Sequence, residues 1–331
     1  MVMDLGRQVL DMQLRNNKKY TILVSGASGI VGYGILKSLK HLNCKLIGTT
    51  IYDESPANCF ADIVEIAPLT CGEDYISWLT DIVCKYQVDM IIPAIEADMA
   101  AWNKNQEEIK KTGTKVLLNR YDLIELCLDK WSFYEKLREK NFQYCIATSI
   151  TPDINQFDFP FILKPRCGYG SKGVVKIESK ADYEKYEDKV GKMLIMQEYV
   201  GNDKEEYTVS AFFDENSDIK AYIAMKRKLS KAGYTEIAEV VALEDLLEII
   251  IELANIFKPI GPTNFQFRNH NGKWKLLEIN PRISSSTSIR TAFGYNEAKM
   301  CVDYFLNGQE IRQPTLKQGK AIRYIEDYIL I

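Results

Sequence analysis

The chain has 331 residues, 46% of them apolar and 26% charged, an ordinary globular composition with room for two or three packed units. Its 42 basic residues against 45 acidic ones leave a net charge of -3, which offers no electrostatic case for nucleic acid or an anionic membrane. No apolar run reaches the roughly 18 residues of a membrane span, and "MVMDLGRQVLDMQLRNNKKY" carries charges where a signal peptide has an apolar core.

Before Tyr20 the pattern is that of an amphipathic lead-in helix. From Tyr20 to about residue 120, strands read at "YTILVSG", "KLIGTTIY", "DIVEIAP", "DMIIPAI" and "KVLLN". Helical patterns alternate with them at "IVGYGILKSLKHL", "YISWLTDIVCKY" and "DMAAWNKNQEEIKK". This alternation predicts α/β architecture with a mainly parallel sheet and ligands at the carboxyl ends of its strands. After the first strand, "GASGIVG" sets Gly26, Gly29 and Gly32 at G-x-x-G-x-x-G spacing. Phosphate-binding turns use that spacing, and so do strands packed tightly on their following helix.

Beyond residue 120 the pattern is α+β with antiparallel pairing. "RYDLIELCLDKWSFYEKLREK" reads as helix, followed by strands "FILKP", "GVVKIE", "MLIMQEYV", "EYTVSAFFD" and "KAYIAMKRKL", with the helix "KADYEKYEDKV" among them. Residues 243–257 repeat apolar positions at helical spacing, and "GPTNFQFRN" and "KWKLLEINP" form a hairpin through the Asn-Gly of "HNGK". The predicted division is an α/β unit over 1–120, a small unit over 121–190 and a large unit over 191–331.

The eight cysteines form no C-x-x-C pair, and His41 and His270 are the only histidines. Scattered reduced thiols in a cytoplasmic protein are expected, with chemistry left to carboxylates, lysines, arginines and a metal. Three stretches offer it. In "NFQFR" the side chains of Asn264, Gln266 and Arg268 share one strand face, and in "LLEINPR" those of Glu278, Asn280 and Arg282 do. Pairing the strands sets Gln266 beside Glu278 and Asn280, an oxygen set that suits a hard cation such as Mg²⁺. In "FPFILKPRCGYGSKGV", Lys164 precedes a loop with Gly168, Gly170, Ser171, Lys172 and Gly173, a composition that suits polyphosphate. In "MLIMQEYVGNDKEEYTV" a strand ends at Gln197 and Glu198, and the next begins at Glu206. Such a hinge offers backbone groups to an adenine edge, with Met196 and Val200 flanking the ring.

In this order the three stretches resemble the ATP-grasp family, most closely one half of the large chain of carbamoyl-phosphate synthase, over about residues 20–310. The likeness implies an α/β N-terminal domain, then an α+β ATP-grasp domain with antiparallel sheets, using ATP and Mg²⁺ or Mn²⁺. By it, Gln266, Glu278 and Asn280 bind two ions, with Glu278 bridging, and Arg282 faces the phosphorylated substrate. Lys164 lies on the α- and β-phosphates, with Lys130 of the preceding helix as its partner. Gly170, Ser171, Lys172 and Gly173 belong to the loop that covers the phosphates. Glu198, Tyr199 and Val200 match the adenine hinge, Glu206 the ribose carboxylate, and Lys226 or Arg227 a further positive charge. By the same likeness "GASGIVG" is tight packing or a substrate-contacting turn.

Departures narrow the expectation. "NPRISSSTS" has Ser285 where the bicarbonate-using synthase halves have a second arginine, and Ser286 where biotin-carboxylase relatives carry a glutamate base. These 331 residues leave no room for a second ATP-grasp half, an oligomerisation segment and a regulatory domain, so a complete carbamoyl-phosphate synthase is not expected. Arg290, in "TSIRTAFGYN", is then expected to supply a carboxylate-binding cation. The expected activity is an ADP-forming ligase that phosphorylates a small carboxylate for attack by an amine or a thiol; phosphorylation of bicarbonate or carbamate is the near alternative. Glu96 and Asp98 either recognise an amino group or cap their helix. The expected partners are small-molecule substrates, with a homodimer as the default assembly.

A rival reading is an NAD(P)-dependent short-chain oxidoreductase or epimerase. "GASGIVG", Asp53 at ribose-acid spacing and the string from Tyr222 to Lys226 favour it. Against it, "IKAYIAMKRK" reads as strand where that chemistry needs one helix face. A non-catalytic ATP-binding module is the third reading.

Overall fold

A computed structural model describes residues 18–168, 173–201, 205–230 and 232–329; the lead-in helix expected before Tyr20 falls, but for its end, outside them. The N-terminal unit is a parallel sheet of β1 (Tyr20–Val24), β2 (Cys44–Thr50), β3 (Ile63–Ile66), β4 (Met90–Ile92) and β5 (Lys115–Val116), in the order β3-β2-β1-β4-β5. Both faces are covered. Ile22 and Val24 pack on one side with Ile35, Leu36 and Leu39, while Leu23 packs on the other with Leu79, Val83 and Trp102. That double burial makes β1 a continuous apolar run where a half-buried strand would alternate.

The glycine turn is built for close packing. Gly26 has φ +57°, and a Cβ on Gly32 would lie 2.3 Å from its carbonyl oxygen. On the outer face of the same helix (Ile30–Leu39), a Cβ on Gly34 would approach Thr287 Cγ2 to 3.0 Å. Ser38 accepts from Thr291 Oγ1 at 2.9 Å, and its carbonyl from Asn296 Nδ2 at 2.8 Å. The helix is thereby docked on the segment that follows the hairpin.

The small sheet contains β6 (Thr148–Ser149), β7 (Phe161–Pro165), β8 (Val175–Ile177) and β9 (Leu194–Glu198), in the order β6-β9-β7-β8, with its own core of Phe161, Leu163, Ile177 and Met196. The large antiparallel sheet contains β10 (Glu206–Phe213), β11 (Ile219–Leu229), β12 (Thr235–Val241), β13 (Gly261–His270), β14 (Lys273–Asn280) and β15 (Lys320–Ile322), in the order β14-β13-β10-β11-β12-β15. On one face of it Tyr207, Val209 and Phe213 meet the helix Glu244–Phe257. On the other, Phe212, Ile223 and Met225 join the core of the N-terminal unit in one cluster. Asn271 and Gly272, at φ 52° and 76°, form the predicted two-residue hairpin turn.

Three features depart from the sequence pattern. β9 pairs in the small sheet although it lies past residue 190, and the helical residues 121–139 pack on the large sheet through Leu123, Phe133 and Leu137. Those residues form two helices, Tyr121–Leu128 and Lys130–Glu139, separated by extended Asp129. The pattern at 98–111 likewise divides into Glu96–Lys104 and Gln106–Lys110 around Asn105, whose Nδ2 donates to the Ala101 carbonyl at 2.8 Å. Side chains that bond nearby backbone compete with the helix ladder, a signal weaker than the apolar period around it.

Candidate active site

The hairpin register brings the expected oxygen ligands together: Asn264 pairs with Asn280, and Gln266 with Glu278. A bulge between Leu276 and Glu278 makes this possible. It leaves Leu276 and Trp274 in the apolar core while turning Glu278 to the face of Gln266. Asn280 Nδ2 donates to Glu278 Oε1 at 3.0 Å. The described residues contain no cluster of three or more His, Cys, Asp or Glu that would hold a metal. A single carboxylate with amide oxygens cannot enclose an ion alone; it fits Mg²⁺, which keeps waters and takes phosphate oxygens to complete its shell.

Lys164, at the end of β7, comes within electrostatic reach of this hairpin. Burial pushes its pKa down to about 8, with Glu278 acting to raise it and Lys130 to lower it. Lys130 is positioned by Asp129, which caps the helix Lys130–Glu139 through the backbone of Trp131 and Ser132 and holds Arg166 by both carboxylate oxygens at 2.6–2.9 Å. Burial opposes the Asp129 charge, but Arg166 and the two amides outweigh it and hold its pKa below the usual carboxylate value. Lys130 Nζ donates to the Gly168 carbonyl at 2.5 Å, and its backbone N–H to the Arg166 carbonyl. Gly173 has φ 73°, with Pro165 Cγ 2.9 Å from where a Cβ would sit. Gly170, Ser171 and Lys172 lie outside the described residues.

At the hinge, Glu198 N–H bonds the Ala147 carbonyl, Lys176 stacks over Tyr199, and Val200 is buried. Gly201 N–H donates to His270 Nδ1 at 2.8 Å, and Arg268 Nη1 to the Val200 carbonyl at 3.3 Å, so β13 carries the hinge.

Two expected site residues are already paired within the protein. Glu206 is 4% exposed, with Oε1 taken by Arg227 at 2.8 Å and Oε2 by Arg268 at 3.2 Å. It ties three strands together, with Arg227 on β11 and Arg268 on β13. Arg290 is fully buried, paired with the equally buried Glu297 at 2.9 Å and bonded to Asn264 and Thr208. A guanidinium so enclosed braces the sheet and is closed to a substrate carboxylate. Of the alternatives Lys226 and Arg227, Arg227 shares the face of Gln266; Lys226 points the other way and pairs with Glu205 at 2.9 Å.

Arg282 bonds Glu96 at 2.8 Å, and its Nη2 stands 3.4 Å from Asn280 Oδ1. The N-terminal unit thus reaches the hairpin through Glu96, whereas Asp98 is buried and accepts from Thr70. Sequence reasoning missed Asp129 and Arg166, and also Arg323, which bonds the Ser285 carbonyl, Thr235 and Tyr33. The N-cap signature of Asp129 was visible before Lys130; the partners of Arg323 are too distant in sequence to leave any mark. Tyr222 and Lys226 lie on strand β11, as their alternation predicts, and Asp53 is exposed beyond β2.

Residues 189–328 match the family described as "ATP-grasp in the biosynthetic pathway with Ter operon", and residues 23–117 match "PylC-like, N-terminal domain". The formate-dependent phosphoribosylglycinamide formyltransferase of Prochlorococcus marinus is 26% identical over 202 residues, 56% of this chain and 48% of that protein. The carbamoyl phosphate synthase large chain of a Thermoanaerobacter species is 24% identical over 235 residues, 64% of this chain and 22% of that one. The chain therefore spans less than half the length of these relatives. In fold it resembles N5-carboxyaminoimidazole synthetase from Staphylococcus aureus complexed with ADP, at TM-score 0.72 and 18% identity over 91% of this chain and 81% of that one. A biotin carboxylase–βγ-ATP complex from Campylobacter jejuni gives TM-score 0.72 at 16% identity, covering 92% and 74%. Sheet order, the family match over residues 189–328 and the structural likenesses agree on an ATP-grasp fold.

Proposed function

We propose that this chain is an ATP- and Mg²⁺-dependent, ADP-forming ligase that phosphorylates a small carboxylate for attack by an amine or similar nucleophile. The observation that carries this reading is the pairing of Gln266 with Glu278 and of Asn264 with Asn280, with Lys164 close enough for Glu278 to act on its charge. Gln266, Glu278 and Asn280 would hold Mg²⁺, which neutralises and orients the phosphates when bound. Lys164 and Lys130 would meet the polyphosphate, the first from β7 and the second from a helix start fixed by Asp129. Residues 198–200 would take the adenine on a hinge secured by Arg268 and His270.

Phosphoryl transfer needs position and charge more than covalent help from the protein. A carboxylate oxygen attacks the γ-phosphorus as the bond to ADP breaks; the nucleophile then displaces phosphate from the acyl carbon. Arg282, anchored by Glu96, stands at the end of the hairpin where the transferred group and the substrate would meet. The helix after "GASGIVG" is engaged in domain docking, and Ile95 Cγ2 lies 2.7 Å from where a Cβ on Gly26 would be, so the side chain of Ile95 covers the turn. This supports a packing role for the turn over a dinucleotide site. The test is a screen of small carboxylates and amines for ADP release. Release that needs both a carboxylate and a nucleophile supports the ligase. Hydride transfer to NAD(P)⁺ without ADP release would refute it.

A further inference from the structure

The parallel sheet runs in the order β3-β2-β1-β4-β5, so the strand order reverses between β1 and β4. Open α/β sheets hold ligands at such a switch point, beyond the carboxyl ends of the strands. Here the turn after β1 and residues 93–96 after β4 flank it. They are tied by Ser25 N–H to the Ile92 carbonyl at 3.1 Å and by Ala94 N–H to Ser25 Oγ at 3.3 Å. Ile95 covers the glycine turn. Glu96, the next residue, reaches the end of the hairpin, where its Oε1 accepts from Arg282 Nη2 at 2.8 Å.

This pair is partly open, with Arg282 15% and Glu96 19% exposed, and Arg282 is the one ion-pair partner of Glu96 among the described residues. Arg282 Nη1 donates to the Ile283 carbonyl at 3.0 Å, Nη2 also lies 3.4 Å from Asn280 Oδ1, and Nε is buried and bonds none of the described residues. The neighbouring carboxylate, Glu278, accepts from Asn280 Nδ2 and has the charge of Lys164 within reach, and the metal falls to it. Polyphosphate and the carboxylate to be phosphorylated both arrive negative. A substrate carboxylate that takes Arg282 from Glu96 leaves Glu96 unpaired beside a second anion, a costly state for a mostly buried charge. An ammonium on the same molecule removes that cost, because one ion pair is then exchanged for two.

We infer that the substrate is an amino acid, with its carboxylate at Arg282 and its ammonium at Glu96. The inference rests on the ligase reading above and narrows its carboxylate. An α-amino acid suits the pair well: a single carbon separates its two charged heads, and the groups that would receive them stand 2.8 Å apart. Glu96 then sets specificity, whereas Asp98, buried and bonded to Thr70, takes no part.

The test measures ADP release with ATP, Mg²⁺ and hydroxylamine, whose nitrogen attacks the acyl carbon of an acyl phosphate and displaces phosphate to give the hydroxamate. Each standard amino acid is compared with the acid that lacks its amino group, as alanine with propionate. The expected result is turnover of at least one amino acid with kcat/KM about 10–100-fold above its counterpart, the range for loss of one hydrogen bond to a charged group. Glu96→Gln, which keeps an oxygen for Arg282 and removes the charge, should abolish that preference. Equal use of the two acids by the unaltered chain, preference for the acid without the amino group, or a preference that survives in Glu96→Gln would overturn the amino-acid assignment and leave the ligase reading standing. No ADP release with any acid would overturn both. The comparison on the unaltered chain decides the matter even where the variant fails to fold.

Discussion

Lys164 is held where burial works against its charge, at a pKa of about 8 against an ordinary 10.5. Below pH 8 the protonated amine carries this desolvation cost in full. Between pH 8 and 10.5 the unfolded chain holds a proton that the folded chain has released, so stability rises with pH across that window. Lys164→Met should raise the stability of the nucleotide-free chain by about 3 kcal/mol at most at pH 7 and abolish the rise, as read by denaturant titration at several pH values. The same variant should weaken ATP binding by roughly a hundredfold, since a buried charge-assisted contact to phosphate is lost. The unaltered chain should take up a proton on binding ATP above pH 8, which calorimetry in buffers of different ionisation enthalpy would detect. Arg290 predicts the reverse pattern. Breaking its buried pair with Glu297 by Arg290→Met should cost about 3–5 kcal/mol, with no loss of substrate affinity in the fraction that remains folded. A selective rise in KM would return Arg290 to the substrate.

The hairpin shows what short-range pattern reveals and what it hides. Asn271-Gly272 announced the turn, and strand alternation placed Gln266, Glu278 and Asn280 on one face. The bulge that reconciles Glu278 with the buried Leu276 left no trace, because a single extra residue in an apolar run looks the same from either side. Arg290 read as a substrate cation because nothing local shows that Glu297, seven residues on, is buried with it. The partners of Glu206 are equally hidden: its two arginines come from neighbouring strands, 21 and 62 residues away. Asp129 marks the other limit, where a cap interrupts an apolar period that reads as one helix. Asp129→Ala should cost about 1–2 kcal/mol from the lost cap and Arg166 pair, and should weaken nucleotide binding through Lys130 while Asp129→Asn retains part of the cap. Gly32→Ala, whose Cβ would press on the Gly26 carbonyl, should cost about 2–3 kcal/mol in thermal unfolding without touching the hairpin chemistry.

One apolar cluster runs from Ile22 and Leu36 of the N-terminal unit through Ile289 to Met225 and Val240 of the large sheet, whereas the small sheet keeps a separate core around Phe161. The parallel sheet was legible because helical patterns alternate with most of its strands; the fusion was not, since it depends on contacts between distant segments. The N-terminal unit and the large sheet should therefore unfold together, with hydrogen exchange in β1 and β10 protected to the same free energy and faster exchange in the small sheet. Ligand geometry follows from this division, with Lys164 on the separable sheet and Glu278 on the fused one. The most direct measurement is a calorimetric titration of ATP and of NAD(P)⁺, each with and without Mg²⁺. Binding of ATP that requires Mg²⁺ and disappears in Glu278→Ala is the predicted result. Tight NAD(P)⁺ binding with no ATP signal would contradict it and make the glycine turn the cofactor site.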